Sequence, residues 1–261
     1  MTALPTGMYQ PGNSVLHRLC PWVKLICLIL LLVAVVSAST LCAYGILALF
    51  TILAMGCSGM SPRSILRPAW RLRWFFCLIF LMNLCFYGAE DAWFQLWILT
   101  PSASGAMQGA NVVLRVFFLL VLSGLLTGTT APLALTNAVE TLLSPLALVK
   151  VPVGQIAMIL SVAVQFIPTL LEETDAIRKA QTARGARFDS KRLWDKAAAV
   201  VPLAVPIFLA AFQRADELSL AMEARGYRPD RPNRLSRQTP ALRDAAALTL
   251  CAGMCAIVLF F

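Results

Sequence analysis

The chain has 261 residues, 59% of them hydrophobic and 13% charged, with a net charge of +9. A soluble domain carries about 25% charged residues, so this composition excludes an ordinary soluble enzyme or binding module and describes an integral membrane protein. The excess charge is local: residues 176–243 hold 14 Lys/Arg against 6 Asp/Glu. That block is interrupted by acids and bounded by apolar runs, which suits the cytoplasmic side of a membrane better than a nucleic-acid partner.

Residues 1–13 are polar and contain Pro and Gly. A basic segment with His17, Arg18 and Lys24 then abuts an apolar run from Leu25 to Val36. A secretory leader cleaved near Ser37-Ala38-Ser39 is one reading of that pattern. A second apolar run, Leu41 to Met55, follows with no charge between the two. The pair therefore reads as a tight transmembrane hairpin whose legs are near the short end of the roughly 17–25 residues a span needs. Residues 56–74, with Gly56, Gly59, Pro62, Pro68 and four arginines, read as a cytoplasmic loop. A third span covers about Trp74 to Tyr87, with Glu90, Asp91, Trp93 and Trp97 on its far side. Residues 100–109 read as a loop and about 110–126 as a fourth span. Arg115 lies inside that span, so it either contacts another helix or snorkels to the interface.

Pro132 follows a break at Thr127–Ala131, and a short amphipathic helix covers about Leu133 to Leu143. Two further apolar stretches, Val153 to Leu171 and Ala197 to Phe212, could span by hydropathy. Crossing would place seven Lys/Arg between residues 172 and 196 on the outer side, against the positive-inside rule. Two long helices at the cytoplasmic face are the better reading. A basic connector over 228–242 and a last span from about Ala245 complete the chain. The fold class is thus all-α membrane protein, with about five spans and a cytoplasmic helical region. The layout is 1–130 for the N-terminal membrane part, 131–242 for the cytoplasmic region and 243–261 for the C-terminal span, with the N-terminus in the cytoplasm.

The cytoplasmic region contains one phrase twice. Residues 175–187 and 216–228, offset by 41, are identical at 6 of 13 positions, where chance gives roughly one. Each copy reads as a helix end. Ala180, Ala183 and Arg184 share one face by their spacing, as do Ala221, Ala224 and Arg225. Gly185 and Gly226 stand where the left-handed C′ residue of a helix belongs. An arginine there complements the helix dipole for a few tenths to about 1 kcal/mol. Dipole compensation does not need matched flanks, however, and a guanidinium aimed past a helix end is a planar fork suited to a carboxylate.

Catalytic chemistry is hard to assemble from this sequence. A single histidine, His17, leaves no His-based triad, and no Walker loop occurs. The eight cysteines lack a C-x-x-C pair and mostly fall in apolar runs; they read as small membrane-buried residues and not as disulfides or a zinc site. Acids are nearly missing from the spans, which argues against a proton-coupled carrier. An ordinary ABC permease subunit would dock through one Glu-Ala-Ala…Gly loop, which is absent.

With the paired Ala183-Arg184-Gly185 and Ala224-Arg225-Gly226, the chain resembles the transmembrane (T) component of energy-coupling factor transporters, the ABC-type micronutrient importers of prokaryotes. Phe166-Ile-Pro168, Glu172, Glu173, Ala180-Gln181, Ala221-Met222-Glu223 and Tyr227 carry the likeness further, as do Leu16-His17-Arg18-Leu19-x-Pro21 with Lys24 and Thr141-Leu-Leu-x-Pro145-Leu. Gln165 departs from it, since many relatives have arginine there. The resemblance implies a bacterial multi-pass membrane protein that is not itself an enzyme and binds no cofactor or metal, ATP and magnesium residing on partners. It implies two ATPase subunits gripping Arg184 and Arg225. It also implies one substrate-binding (S) component lying across the long helices, with Ile159, Val162, Phe166, Pro202 and Pro206 as its contact residues, all within membrane lipid. The cargo would be a vitamin or metal-ion micronutrient.

Overall fold

The computed structural model describes Gln10, Gly12 and residues 14–87, 102–149, 152–186, 188, 193–228 and 241–260. Glu90, Asp91, Trp93, Trp97 and most of the 228–242 connector lie outside those residues. The regular structure is helical, with no strand among the described residues: α1 (Pro21–Ser37), α2 (Leu41–Ser58), α3 (Pro62–Arg71), α4 (Arg73–Phe86), α5 (Ala103–Thr129), α6 (Pro132–Leu143), a 3-10 turn (Ser144–Val149), α7 (Val153–Ala183), α8 (Leu193–Ala224) and α9 (Leu242–Phe260). Among the described residues α2, α5, α7 and α9 are long and apolar enough to cross a membrane, and the bent α3–α4 pair makes a fifth; α1 is a shorter apolar helix. The chain is an all-α, multi-pass membrane protein.

Two compact units emerge. One comprises the described residues of Gly7–Ala138 and Gln238–Phe261, the other those of Val139–Arg237. In the first, α1 packs on α5 and α9, and α2 on α5. Lipid tails are as apolar as leucine, so close van der Waals contact between helices drives such packing. The buried residues match that demand: Ala34, Cys27 and Leu31 on α1 share one core with Cys251 and Cys255 on α9, and Tyr44 stacks on Phe118 at 6.3 Å. None of the eight cysteines is in a disulfide. Cys20, Cys27, Cys251 and Cys255 are buried in the protein, but Cys42, Cys57 and Cys77 are on its surface.

Two stretches read as loops are helices. Residues 62–71 form α3, in which Pro62 occupies the first turn, where no N–H is needed. Pro68 costs a backbone bond, yet the helix continues because Ile65 and Ala69 are buried where α3 packs on α5. Arg63, Arg67 and Arg71 then fall on the exposed side. α3 meets α4 at a 51° bend. Likewise α5 begins at Ala103, within the expected 100–109 loop, because Ser102 caps it by accepting the Gly105 N–H at 2.9 Å. A Cβ on Gly105 would stand 2.7 Å from the Asn83 carbonyl oxygen and 2.8 Å from that of Tyr87, and one on Gly109 3.2 Å from Phe80 O. Gly105 and Gly109 thus let α4 and α5 approach as a small-xxx-small pair does.

A polar node ties three helix ends together. The buried Asp244 carboxylate at the start of α9 accepts the Cys20 N–H ahead of α1 at 2.8 Å and the Ala241 N–H at 2.8 Å. Lys24 Nζ donates to the Thr129 carbonyl at the end of α5, at 3.1 Å. Burial, with the Asp244 carboxylate beside it, pushes the Cys20 thiol up to about 11. His17 bonds Ser14 Oγ at 2.6 Å and the Gln10 carbonyl at 3.0 Å. At the other end of α1, Arg115 Nη2 and Tyr44 Oη both donate to the Ala38 carbonyl, at 3.2 and 3.0 Å. Arg115 is therefore an inter-helix tie and does not snorkel.

Candidate functional site

The second unit is built on α7 and α8, which pack against each other. Both helices finish in the same way. At the end of α7, Gly185 adopts φ +93° and its N–H bonds Thr182 O at 3.0 Å, while the Ala186 N–H reaches back to Gln181 O at 3.0 Å. At the end of α8, Gly226 adopts φ +67°, its N–H bonds Glu223 O at 2.9 Å, and the Tyr227 N–H reaches Met222 O at 3.0 Å. Each is a full Schellman motif, with both bonds that define it. The repeat in the sequence is thus a repeat in backbone geometry. Left-handed backbone is why glycine stands at both places.

Arg184 and Arg225 are the C-cap residues, one step past Ala183 and Ala224. Both are exposed, and so are Ala183, Gly185, Ala224 and Gly226. Neither arginine makes an ion pair with a described residue. Arg187, in the last position of the first repeat copy, lies outside the described residues. The two helix ends therefore present exposed guanidinium forks that no described residue pairs with.

The helices also touch between these ends. Arg214 Nη2 on α8 approaches Glu173 Oε2 on α7 at 3.6 Å. Elsewhere along the pair an apolar groove of about 540 Å³ opens, lined on α7 by Gln155, Met158, Ile159, Val162 and Ala163, and by Leu218, Met222 and Tyr227. Earlier residues of α7 thus meet later residues of α8, the order of two helices crossing in opposed directions. Ile159 and Val162 come together in this groove; Phe166, Pro202 and Pro206 do not line it. No cluster of His, Cys, Asp and Glu among the described residues could hold a metal ion.

Comparison with known proteins adds the family. The family model described as CbiQ, cobalt transport protein, matches residues 12–236. The chain is 43% identical over 225 residues to the energy-coupling factor transporter transmembrane protein EcfT of Brevibacillus brevis, covering 85% of this chain and 84% of that one. It is 39% identical over 227 residues to EcfT of Bacillus subtilis, covering 87% and 86%. With EcfT of Limosilactobacillus fermentum the identity is 38% over 256 residues, covering 98% and 95%.

The chain belongs to the CbiQ family. It is the transmembrane (T) component of an energy-coupling factor transporter. In this CbiQ-family chain the match takes in both arginine-capped ends, the Glu173–Arg214 contact and the groove between α7 and α8. Gln165, the departure from the family pattern, is exposed on α7. The groove residues Met158, Ala163 and Leu218 carried no signal in the sequence, because an apolar side chain on an apolar helix does not reveal which face it lines. Met222 and Tyr227 were visible only as flanks of the second arginine.

Proposed function

We propose that this T component carries motion from two ATPase subunits to a substrate-binding S component, and that α7 and α8 are the coupling helices. Arg184 and Arg225 each enter a groove on one ATPase subunit and pair with its carboxylates. The observation that supports this most directly is the duplication of the helix end: two exposed arginines, each on a cap with the same pair of backbone hydrogen bonds, within one unit of the chain. Two copies of one docking end suit two copies of one kind of motor.

The S component lies on the apolar faces of the crossed pair. Ile159, Ile167 and Leu171 on α7, and Val201, Phe208 and Phe212 on α8, are all exposed, and exposed apolar side chains in such numbers suit a partner or lipid. Ile159, Val162, Phe166, Pro202 and Pro206 belong to this contact. Substrate choice, a vitamin or a metal-ion micronutrient, rests with the S component, and ATP and magnesium stay on the ATPases. The chain itself performs no chemical step. The N-terminus and both arginine-capped ends face the cytoplasm, where nucleotide is.

Replacing one arm of a desolvated, hydrogen-bonded charge pair costs about 2–5 kcal/mol. Arg184→Ala together with Arg225→Ala is therefore expected to abolish co-purification of the ATPase subunits and ATP-driven uptake, while the protein still inserts. Recovery of the ATPases at wild-type yield by the double variant sinks this reading.

A further inference from the structure

The Glu173–Arg214 contact has a special address. The two positions are 41 apart, which is the offset of the internal repeat. Each stands two residues ahead of its copy, so with the repeat's register continued back along α7 and α8 the two positions are equivalent. When two like elements are related by a two-fold axis, a position meets its own equivalent only at that axis. One further feature agrees: the helices cross in opposed directions. The shared offset then sets each arginine eleven residues beyond the contact, about 16 Å along its own helix.

Resting on the function proposed above, we infer that Glu173 and Arg214 mark the pivot about which α7 and α8 turn against each other, and that they are positioning residues for the two docking ends. In two strictly identical helices the axis would bring like charges together, which repel. Here the copies differ, and the self-contact has become an attractive pair. Glu173 Oε2 is enclosed and takes no hydrogen bond among the described residues, so the Arg214 guanidinium is the group that faces its charge. The pair holds the crossing point in register without fixing an angle, because at 3.6 Å no hydrogen bond is locked in place. A turn of about 20° about this point carries each arginine tip roughly 5–6 Å and leaves the crossing where it was. Equal arms convert equal thrusts from two motors into pure rotation; an off-centre crossing would add translation.

The test uses the whole transporter, T component with its ATPase subunits and S component, in proteoliposomes. Three quantities are read: ATPase capture, ATP hydrolysis and substrate imported per ATP. Glu173→Arg alone and Arg214→Glu alone are each expected to keep capture and hydrolysis within about twofold and to lower substrate per ATP more than fivefold. The combined exchange is expected to restore it to within twofold. In a background with the native cysteines replaced and transport retained, Glu173→Cys with Arg214→Cys, once joined by a thiol cross-linker, is expected to keep at least half of the transport. The same cross-linker between Met158→Cys and Leu218→Cys, which line the groove away from the axis, is expected to reduce transport more than tenfold, reversibly on cleavage. Failure of the charge exchange to restore coupling overturns the pivot, as does equal inhibition by the two cross-links. Loss of capture in the single reversals also overturns it, since the pair would then be building the docking ends. Full ATPase capture by the Arg184/Arg225 double variant instead strikes the underlying function, so the two failures are read separately.

Discussion

Replacing Gly185 or Gly226 by alanine isolates backbone conformation from every other effect at the docking ends. A Cβ built at either position finds nothing within 4 Å, so no clash contributes. What remains is the cost of holding an L-residue in left-handed backbone, about 1–2 kcal/mol. The two sites should differ. Gly226 at φ +67° lies inside the left-handed well, which spans about +50° to +70°, whereas Gly185 at φ +93° lies beyond it. Gly226→Ala should thus fall near the lower bound and Gly185→Ala at or above the upper one. If ATPase capture needs the native cap, the affinity for the ATPase subunits drops by the population of that cap, about 5-fold for Gly226→Ala and 30-fold or more for Gly185→Ala. Asparagine enters the left-handed region more readily than alanine, so Gly→Asn should recover part of the loss at each site. The assay is equilibrium binding of purified ATPase subunits to the T component in nanodiscs, with thermal stability followed in parallel. Stability should hardly move, because both ends are exposed. Unchanged affinity in the double alanine variant, or asparagine weaker than alanine, refutes the reasoning.

Three further outcomes are expected. Gly105→Ala forces a methyl group against two backbone carbonyls of the α4 end and should destabilise the protein by about 1–3 kcal/mol, while Gly45→Ala and Gly253→Ala, with open space around them, should be close to neutral; thermal unfolding in detergent separates the cases. Asp244 accepts two backbone N–H bonds, and each bond to a charged group is worth about 1.5–3 kcal/mol, so stability should fall stepwise from Asp to Asp244→Asn, which keeps one acceptor, to Asp244→Ala, which keeps none; equal stability of the two variants would contradict the geometry. Cys42 and Cys57 lie exposed near opposite ends of α2, so with the N-terminus in the cytoplasm an impermeant maleimide on intact cells should label Cys42 and spare Cys57 in single-cysteine variants, and the reverse pattern would invert the topology.

Whatever is local was legible in the sequence. Apolar run length gave the helices of the hairpin, the fourth span and α9, because a span must satisfy its backbone within itself. The duplicated arginine-glycine ends were legible for the same reason: a helix that stops in left-handed backbone selects glycine at one fixed place, whatever surrounds it. Local signals also misled. Proline density concealed α3, which Ile65 and Ala69 hold helical by burial, and the Ser/Gly-rich stretch that looked like a loop is the capped start of α5. The remaining decisions belong to tertiary structure. Asp244 meets Cys20 across 224 positions, Arg115 finds the Ala38 carbonyl, and Glu173 on α7 meets Arg214 on α8. Composition names such residues but not their partners, because a side chain's partner is chosen by which helix faces pack together, and that choice is made by the whole chain at once.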